Sequence, residues 1–335
     1  MSKSLLSGNE AIVEGAVKAG LKFYSSYPIT PASEIMTFIL KKDVTFIQAE
    51  DEIAAINMCI GASLAGKKSM TATSGPGFSL KQEGIGLAFK LGTPLVIVDS
   101  QRVGPSTGMP TLGSQGDILQ AKHGIHGDYI SIVFYPNSVE ELYRYTLEAF
   151  NISEEALSPV ILLSDGYLSR MYETVDLSLI NKKIKIKNRT LSPLGSSKRH
   201  FTGLTSENNI PKTKDSIVYK NWYLQRKKHI LNAAKRYNFF EYIENKNSDT
   251  LLIAYGITSR AILPLKNNFS IFRPIRLFPI LDELKEISKN YKRIIVIEMN
   301  DGQYKHELEA FLKRDIKGIG LLGGKISLEE IKNEL

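Results

Sequence analysis

The chain of 335 residues contains one cysteine, Cys59. An intrachain disulfide is therefore impossible, and its own thiols can assemble neither an iron–sulfur cluster nor a zinc–thiolate site. Cys59 falls in the apolar run IAAINMCIGASLAG, where a small buried packing residue is expected. Long hydrophobic runs are missing as well: no stretch approaches the roughly 18 apolar residues of a membrane span, so no membrane association is expected. The opening residues MSKSLLSGNEAIVEG carry no apolar core followed by a small-residue cleavage site, and the cytoplasm is the expected location. No turn matches GxGxxG or GxxxxGK[ST], which removes the dinucleotide and P-loop readings. Ser164-Asp165 lacks the GxSxG frame of a nucleophile elbow. His123 and His126, in KHGIHGD, have only Asp128 as a nearby carboxylate, so a hydrogen-bonded turn around His126-Gly127-Asp128 is expected there rather than a metal.

Apolar residues are 43% and charged residues 23%, a globular profile with material for more than one core. The formal net charge of +8 is concentrated after residue 181, in NKKIKIKNRT, SKRH and QRKKH. No nucleic-acid motif accompanies it, so nucleic acid is not the expected partner and a solvated basic linker is.

Between residues 10 and 170, short runs that are apolar on both faces alternate with helical patterns. The runs are 22–27, 44–48, 69–73, 94–100, 131–135 and 159–165, with helices expected near 9–20, 31–41, 52–66, 78–91 and 138–155. The pattern predicts an α/β, doubly wound parallel sheet. Residues 181–247 break the rhythm and read as a linker with a docking helix from about 219. Regularity returns at 250–256, 270–278, 292–300 and 317–324, giving a second, smaller α/β domain. The expected division is therefore 1–180, 181–247 and 248–335.

Ligands of open parallel sheets gather at the carboxyl ends of strands. Here those ends carry YPITP, QAEDE, TSGPG and QRVGPSTG in succession. In Tyr27-Pro28-Ile29-Thr30-Pro31, Thr30 is placed to cap a helix that starts at Pro31, with Glu34 in its first turn. Either this is only a well-made helix start, or its free N–H groups and hydroxyl face a bound carboxylate. Glu50-Asp51-Glu52 precede a helix, where acids favour the dipole; alternatively one carboxylate points into a cleft and hydrogen-bonds a heterocycle. Ser74-Gly75-Pro76-Gly77 makes a tight turn that lets a ligand approach the backbone. Arg102 follows a buried strand and needs an anionic partner, either an internal carboxylate or a ligand.

Taken in order, YPITP, QAEDEIAA, GAS-LAG, TATSGPGFSLKQEG, QR-GPSTG-PT, HGD, AFN and PVILLSD resemble the alpha subunits of 2-oxoacid:ferredoxin oxidoreductases, and the 2-oxoglutarate branch most. AYGITSRA, FRPIRLFP and EMNDGQY of the second domain are similar to the same family. The resemblance covers nearly all of 8–325 and is weakest across 181–247. It implies a pyrimidine-binding domain of the thiamine-diphosphate type followed by a transketolase-C-terminal-like domain. It implies thiamine diphosphate shared with a beta subunit that holds Mg²⁺ and a [4Fe-4S] cluster, coenzyme A as co-substrate, and ferredoxin as electron acceptor. A hetero-oligomer such as (alpha-beta)2 is implied, with gamma and delta subunits as further candidates. Glu52 falls on the family's cofactor glutamate, Thr30 and Arg102 on its substrate-binding threonine and arginine. Tyr27, Pro28, Ile29 and the 74–77 turn fall on the cofactor-binding segments. Pyruvate, branched-chain or aryl 2-oxoacids are the alternative substrates, and a non-catalytic scaffold is the alternative role. The lysine-rich stretch 182–199 is read as solvated linker, with an anionic contact to ferredoxin or coenzyme A as the other reading.

Overall fold

The computed structural model describes residues 3–196 and 201–335; the SKRH cluster at 197–200 lies outside the described residues. The first part of the chain runs β1 (Lys3–Ser7), α1 (Gly8–Lys18), β2 (Phe23–Ser26), α2 (Ser33–Ile39), β3 (Thr45–Gln48), α3 (Glu52–Leu64), β4 (Ser69–Thr73), α4 (Gly75–Leu91) and β5 (Leu95–Val103). It continues with β6 (Met109–Gly113), α5 (Ile118–His123), β7 (Val133–Phe134), α6 (Val139–Ala156), β8 (Pro159–Asp165), β9 (Tyr172–Asp176) and α7 (Leu177–Lys183). A small hairpin, β10 (Ser206–Glu207) with β11 (Ile210–Pro211), precedes α8 (Ser216–Ala234). The remainder is β12 (Phe240–Ile243), β13 (Thr250–Ile253), α9 (Gly256–Ile262), β14 (Ser270–Pro274), β15 (Arg276–Phe278), α10 (Asp282–Ser288), β16 (Arg293–Glu298), α11 (Gln303–Leu312), β17 (Lys317–Gly320) and α12 (Leu328–Glu334).

The first sheet has the order β15-β7-β8-β5-β4-β2-β3, with β6 folded back on β5. Its central strands are buried from end to end, β8 throughout and β5 as far as Arg102, as both-face burial of a parallel sheet requires. The helix pairs α1–α6 and α3–α4 cover it. Several helix starts are written locally. Asp51 caps α3 by accepting the Ala54 N–H at 2.7 Å. Ser138 accepts the Glu141 N–H at 3.1 Å while Glu141 accepts the Asn137 N–H at 2.9 Å. Cys59 is wholly buried, its sulfur 3.2 Å from the Met70 carbonyl, so its expected packing role holds.

The second sheet has the order β12-β14-β13-β16-β17, parallel except for β12. Two of its features depart from the sequence pattern. β12 lies inside the stretch that reads as linker. The apolar run 270–278 is not one strand: β14 ends at Pro274, and β15 crosses to the first sheet, where it pairs antiparallel with β7 through Arg276↔Phe134 and Phe278↔Val133. Proline has no N–H to extend a ladder, which fits the break. The two sheets are also clasped by Gln115. Its amide donates to the Tyr255 carbonyl at 2.8 Å, and its oxygen accepts from the Thr258 hydroxyl at 2.8 Å and the Met299 N–H at 2.9 Å.

The basic linker is less solvated than its composition suggests. Arg189 pairs with Glu154 at 2.8 Å, Lys187 pairs with Glu155, and the Lys187 N–H donates to Asn151 at 2.9 Å. Helix α8 starts at Asp215, whose carboxylate accepts the Ile217 and Val218 N–H groups. It packs on α6, where Arg226 donates to the carbonyls of Ala156 and Leu157 at the helix end.

Candidate active site

The strand order β5-β4-β2-β3 sets the four polar turns side by side. After β2 comes the Tyr27–Pro31 turn, with Tyr27, Pro28 and Thr30 exposed and Ile29 half-buried. The Thr30–Pro31 peptide is cis. Helix α2 begins only at Ser33, with Ala32 at its cap and no side-chain cap bond. The expected capping role of Thr30 is therefore not observed: two residues separate it from the helix. Asn9 fixes the turn instead, donating to the Pro31 carbonyl at 2.9 Å and to Glu34 at 2.8 Å.

After β3, the three acids diverge. Glu50 is exposed, Asp51 caps α3, and Glu52, the first residue of α3, is only 5% exposed. Its carboxylate lies against the start of α4, where partial positive charge accumulates. A Cβ on Gly77 would collide with Glu52 Oε1 and with Thr73 Oγ1, so glycine at 77 is what makes room for this carboxylate. Ser74 stands at the cap position of α4 with its hydroxyl buried and without a partner.

Arg102 closes the fourth turn. It is 8% exposed, its Nη1 donates to the Thr30 carbonyl at 2.9 Å, and its Nε has no partner. The internal salt bridge that was one reading of Arg102 is not formed with any described residue. Thr30 and Arg102 are thus brought together, and Arg102 keeps unused donor capacity. Beside it, Asp99 and Asp117 meet as a buried carboxyl pair. Burial and then mutual repulsion raise Asp99 well above the carboxylate range, while the charge on Arg102 moderates the upward shift of Asp117. A cavity of about 610 Å³ opens between the two sheets, lined by Gly75, Pro76, Arg102, Asp117, Asn300 and Gln303.

Two residues of this site give little sign in the sequence. Lys81, in α4, is wholly buried and donates from Nζ to the Glu52 carbonyl at 3.3 Å. Burial lowers its pKa to about 8, against the upward pull of Cys59, Glu52 and Asp51. A lysine in a helical pattern reads as a solvated face, which is why it passes unnoticed. Asp117 is likewise hidden in the loop before α5. His123 and His126 stand apart from the site: they pair with Glu307 at 2.8 Å and with Glu83 at 3.4 Å.

The model of the family described as "Pyruvate flavodoxin/ferredoxin oxidoreductase, thiamine diP-bdg" matches residues 14–244. The chain belongs to that family. It is 41% identical to the 2-oxoglutarate synthase subunit KorA of Archaeoglobus fulgidus, over 99% of this chain and 98% of that one. It is 36% identical to the ketoisovalerate oxidoreductase subunit VorB of Methanothermobacter thermautotrophicus, over 97% and 95%. A solved 2-oxoglutarate:ferredoxin oxidoreductase from Magnetococcus marinus, with 2-oxoglutarate, coenzyme A and succinyl-CoA bound, superposes with a TM-score of 0.92 at 32% identity; the match covers 99% of this chain and 64% of that one. The chain is an alpha subunit of a 2-oxoacid:ferredoxin oxidoreductase, one subunit of a multi-subunit enzyme, and its first domain is of the thiamine-diphosphate-binding type. Among the described residues no helix is long and apolar enough to cross a membrane.

The residues present fit that cofactor's pyrimidine end. A buried carboxylate that accepts no hydrogen bond from a described residue, held over a helix start by a glycine that cannot be larger, offers an acceptor to an aminopyrimidine ring.

Proposed function

We propose that this chain supplies the aminopyrimidine half of a shared thiamine-diphosphate site for the oxidative decarboxylation of 2-oxoglutarate to an acyl-CoA and CO2, with two electrons passing singly to ferredoxin. The reading is carried by one juxtaposition: the buried Glu52 carboxylate lies against the start of α4, which follows β4, and the incompletely paired Arg102 guanidinium ends β5, the strand beside β4. Thiamine diphosphate, when bound, supplies a nucleophilic thiazolium carbon and an electron sink. Glu52 would hold the pyrimidine ring by a hydrogen bond and would give and take a proton at its own carboxylate. Tyr27, Pro28, Ile29 and the Ser74-Gly75-Pro76-Gly77 turn wall the same end of the cofactor. Arg102, oriented by its bond to the Thr30 carbonyl, receives the 2-oxoacid carboxylate as a charge-assisted pair, and the Thr30 hydroxyl completes the contact.

A beta subunit is proposed to hold the diphosphate through Mg²⁺ and to carry the [4Fe-4S] cluster, since a single cysteine cannot ligate one. An (alpha-beta)2 assembly, with gamma and delta chains where present, follows from the same division. 2-Oxoglutarate is favoured over ketoisovalerate because the KorA relative is the more similar of the two compared. The test is CoA-dependent decarboxylation by the chain purified with its native partners, across 2-oxoglutarate, pyruvate, ketoisovalerate and an aryl 2-oxoacid. The highest kcat/KM is expected on 2-oxoglutarate. A clear preference for another acid overturns the substrate, and no activity on any overturns the function.

A further inference from the structure

A second cavity, larger than the one at Arg102, lies away from the candidate active site. A cleft of about 880 Å³ lies where α8, the loop before β7 and the segment after β15 converge. That loop leads into the amino end of β7, so the cleft faces away from the turns that carry Glu52 and Arg102. Its cationic residues are Lys122, Lys227, Lys228, Lys235 and Arg276; Asp128 and Asp282 are its two carboxylates. Lys122 is paired with Glu307, whereas the three lysines from the α8 region form no ion pair with a described residue. Tyr129, Tyr223 and Phe311 give it aromatic walls.

A fringe of lysines on a helix is ordinarily a solvated face. Arg276 is different. It is 3% exposed, its Nε has no partner, and its one side-chain hydrogen bond among the described residues is from Nη2 to Asn238 Oδ1 at 2.9 Å. No carboxylate of a described residue forms a direct ion pair with it; Glu283 and Asp282 lie close enough to favour its charge but leave the guanidinium unbridged. Burial lowers its pKa to about 10, so it remains cationic at neutral pH. A buried guanidinium with no directly paired anion has donor capacity to spare, and its planar fork matches a phosphoryl group. The volume is within the range of small-ligand pockets, and aromatic walls beside cations suit a planar base attached to phosphates.

We propose that this cleft is a second binding site on the chain, for an organic phosphate of the nucleotide class, with its phosphoryl oxygens on Arg276, Lys227 and Lys228 and its base against the aromatic walls. The site is independent of the reaction proposed for the Glu52 region and stands or falls separately.

The probes are ADP, adenosine and coenzyme A, titrated by calorimetry into the full chain and into its native assembly. ADP binds saturably in both, and adenosine at least about tenfold more weakly, because the charge-assisted contacts are lost. R276Q lowers ADP affinity about tenfold or more; K227E/K228E, on exposed positions of α8, does the same without disturbing the interior. Coenzyme A binding that survives both changes while ADP binding is lost marks the two sites as separate. Three results overturn the proposal: no saturable ADP binding up to about 1 mM, the weak end of useful affinity; ADP binding indifferent to both variants; or binding to the lone chain that vanishes in the assembly, which would give the cleft to a subunit contact.

Discussion

The Glu52 carboxylate occupies the space that any side chain at Gly77 would need. The relationship joins two strand ends: the first residue of α3 lies over the first turn of α4, and a helical glycine keeps the volume open. Alanine at 77 is favoured by helix propensity by up to about 1 kcal/mol, which offsets part of the roughly 1–3 kcal/mol cost of crowding Glu52 and Thr73. The expected outcome of G77A is a chain that still folds with a moderately lowered Tm, and turnover of the assembled enzyme down about a hundredfold, the scale of an ångström-sized misplacement. Steady-state kinetics with parallel thermal unfolding checks it; native turnover would detach Gly77 from the site.

Arg102 separates substrate from cofactor. Its bond to the Thr30 carbonyl orients a guanidinium that still has an unpaired Nε. R102K keeps the charge and loses the fork. The 2-oxoacid KM should rise roughly tenfold to a hundredfold, the worth of one charged hydrogen bond, while thiamine diphosphate affinity is unchanged. Loss of cofactor affinity with an ordinary KM would reverse the assignment.

Lys81 predicts a pH signature. Burial disfavours the ammonium and lowers its pKa from the ordinary lysine value of 10.5 to about 8 in the folded chain. Above the unfolded pKa the amine is neutral in both states and burying it carries no charge penalty. As pH falls from 10.5 towards 8, the unfolded chain binds the proton first and stability is lost. K81M should therefore flatten the stability profile across that window and be relatively more stable below it. Chemical denaturation at several pH values measures this; parallel profiles for the two chains would place Lys81 in a more polar setting.

Gln115 predicts a mechanical effect. Q115L would leave the Tyr255 carbonyl, the Thr258 hydroxyl and the Met299 N–H without their partner. Each buried unpaired group costs about 1–3 kcal/mol, so the clasp between the sheets should loosen measurably. A lower Tm and faster proteolysis of the second domain are expected. An unchanged Tm would mean that β15 and the remaining bonds between the sheets, such as Ser114 to the Met299 carbonyl and Arg273 to Glu141, suffice without the clasp.

Much of this was legible in the sequence because the physics was local. Apolar runs on both faces gave the parallel strands, and the turns after them gave Glu52, Thr30, Arg102 and 74–77. What stayed hidden depended on distant partners. The Thr30 cap failed because Asn9, more than twenty residues upstream, holds Pro31 and Glu34. Nothing local reveals that Arg276–Phe278 leaves its own sheet, since strand pairing is set by β7. Lys81 and Gln115 are polar residues whose burial follows from tertiary packing. The linker residues Lys187 and Arg189 looked solvated because Glu155 and Glu154 lie on α6, more than thirty positions away.

The central claim is that Glu52 works the cofactor's proton chemistry. Exchange of the thiazolium C2 proton with deuterium, followed by NMR in the assembled enzyme loaded with thiamine diphosphate and Mg²⁺, tests it directly. E52Q should slow exchange by about two to four decades, the loss typical of acid–base assistance, while E50Q, altering an exposed carboxylate, leaves it unchanged. Exchange in E52Q at the native rate would contradict the account.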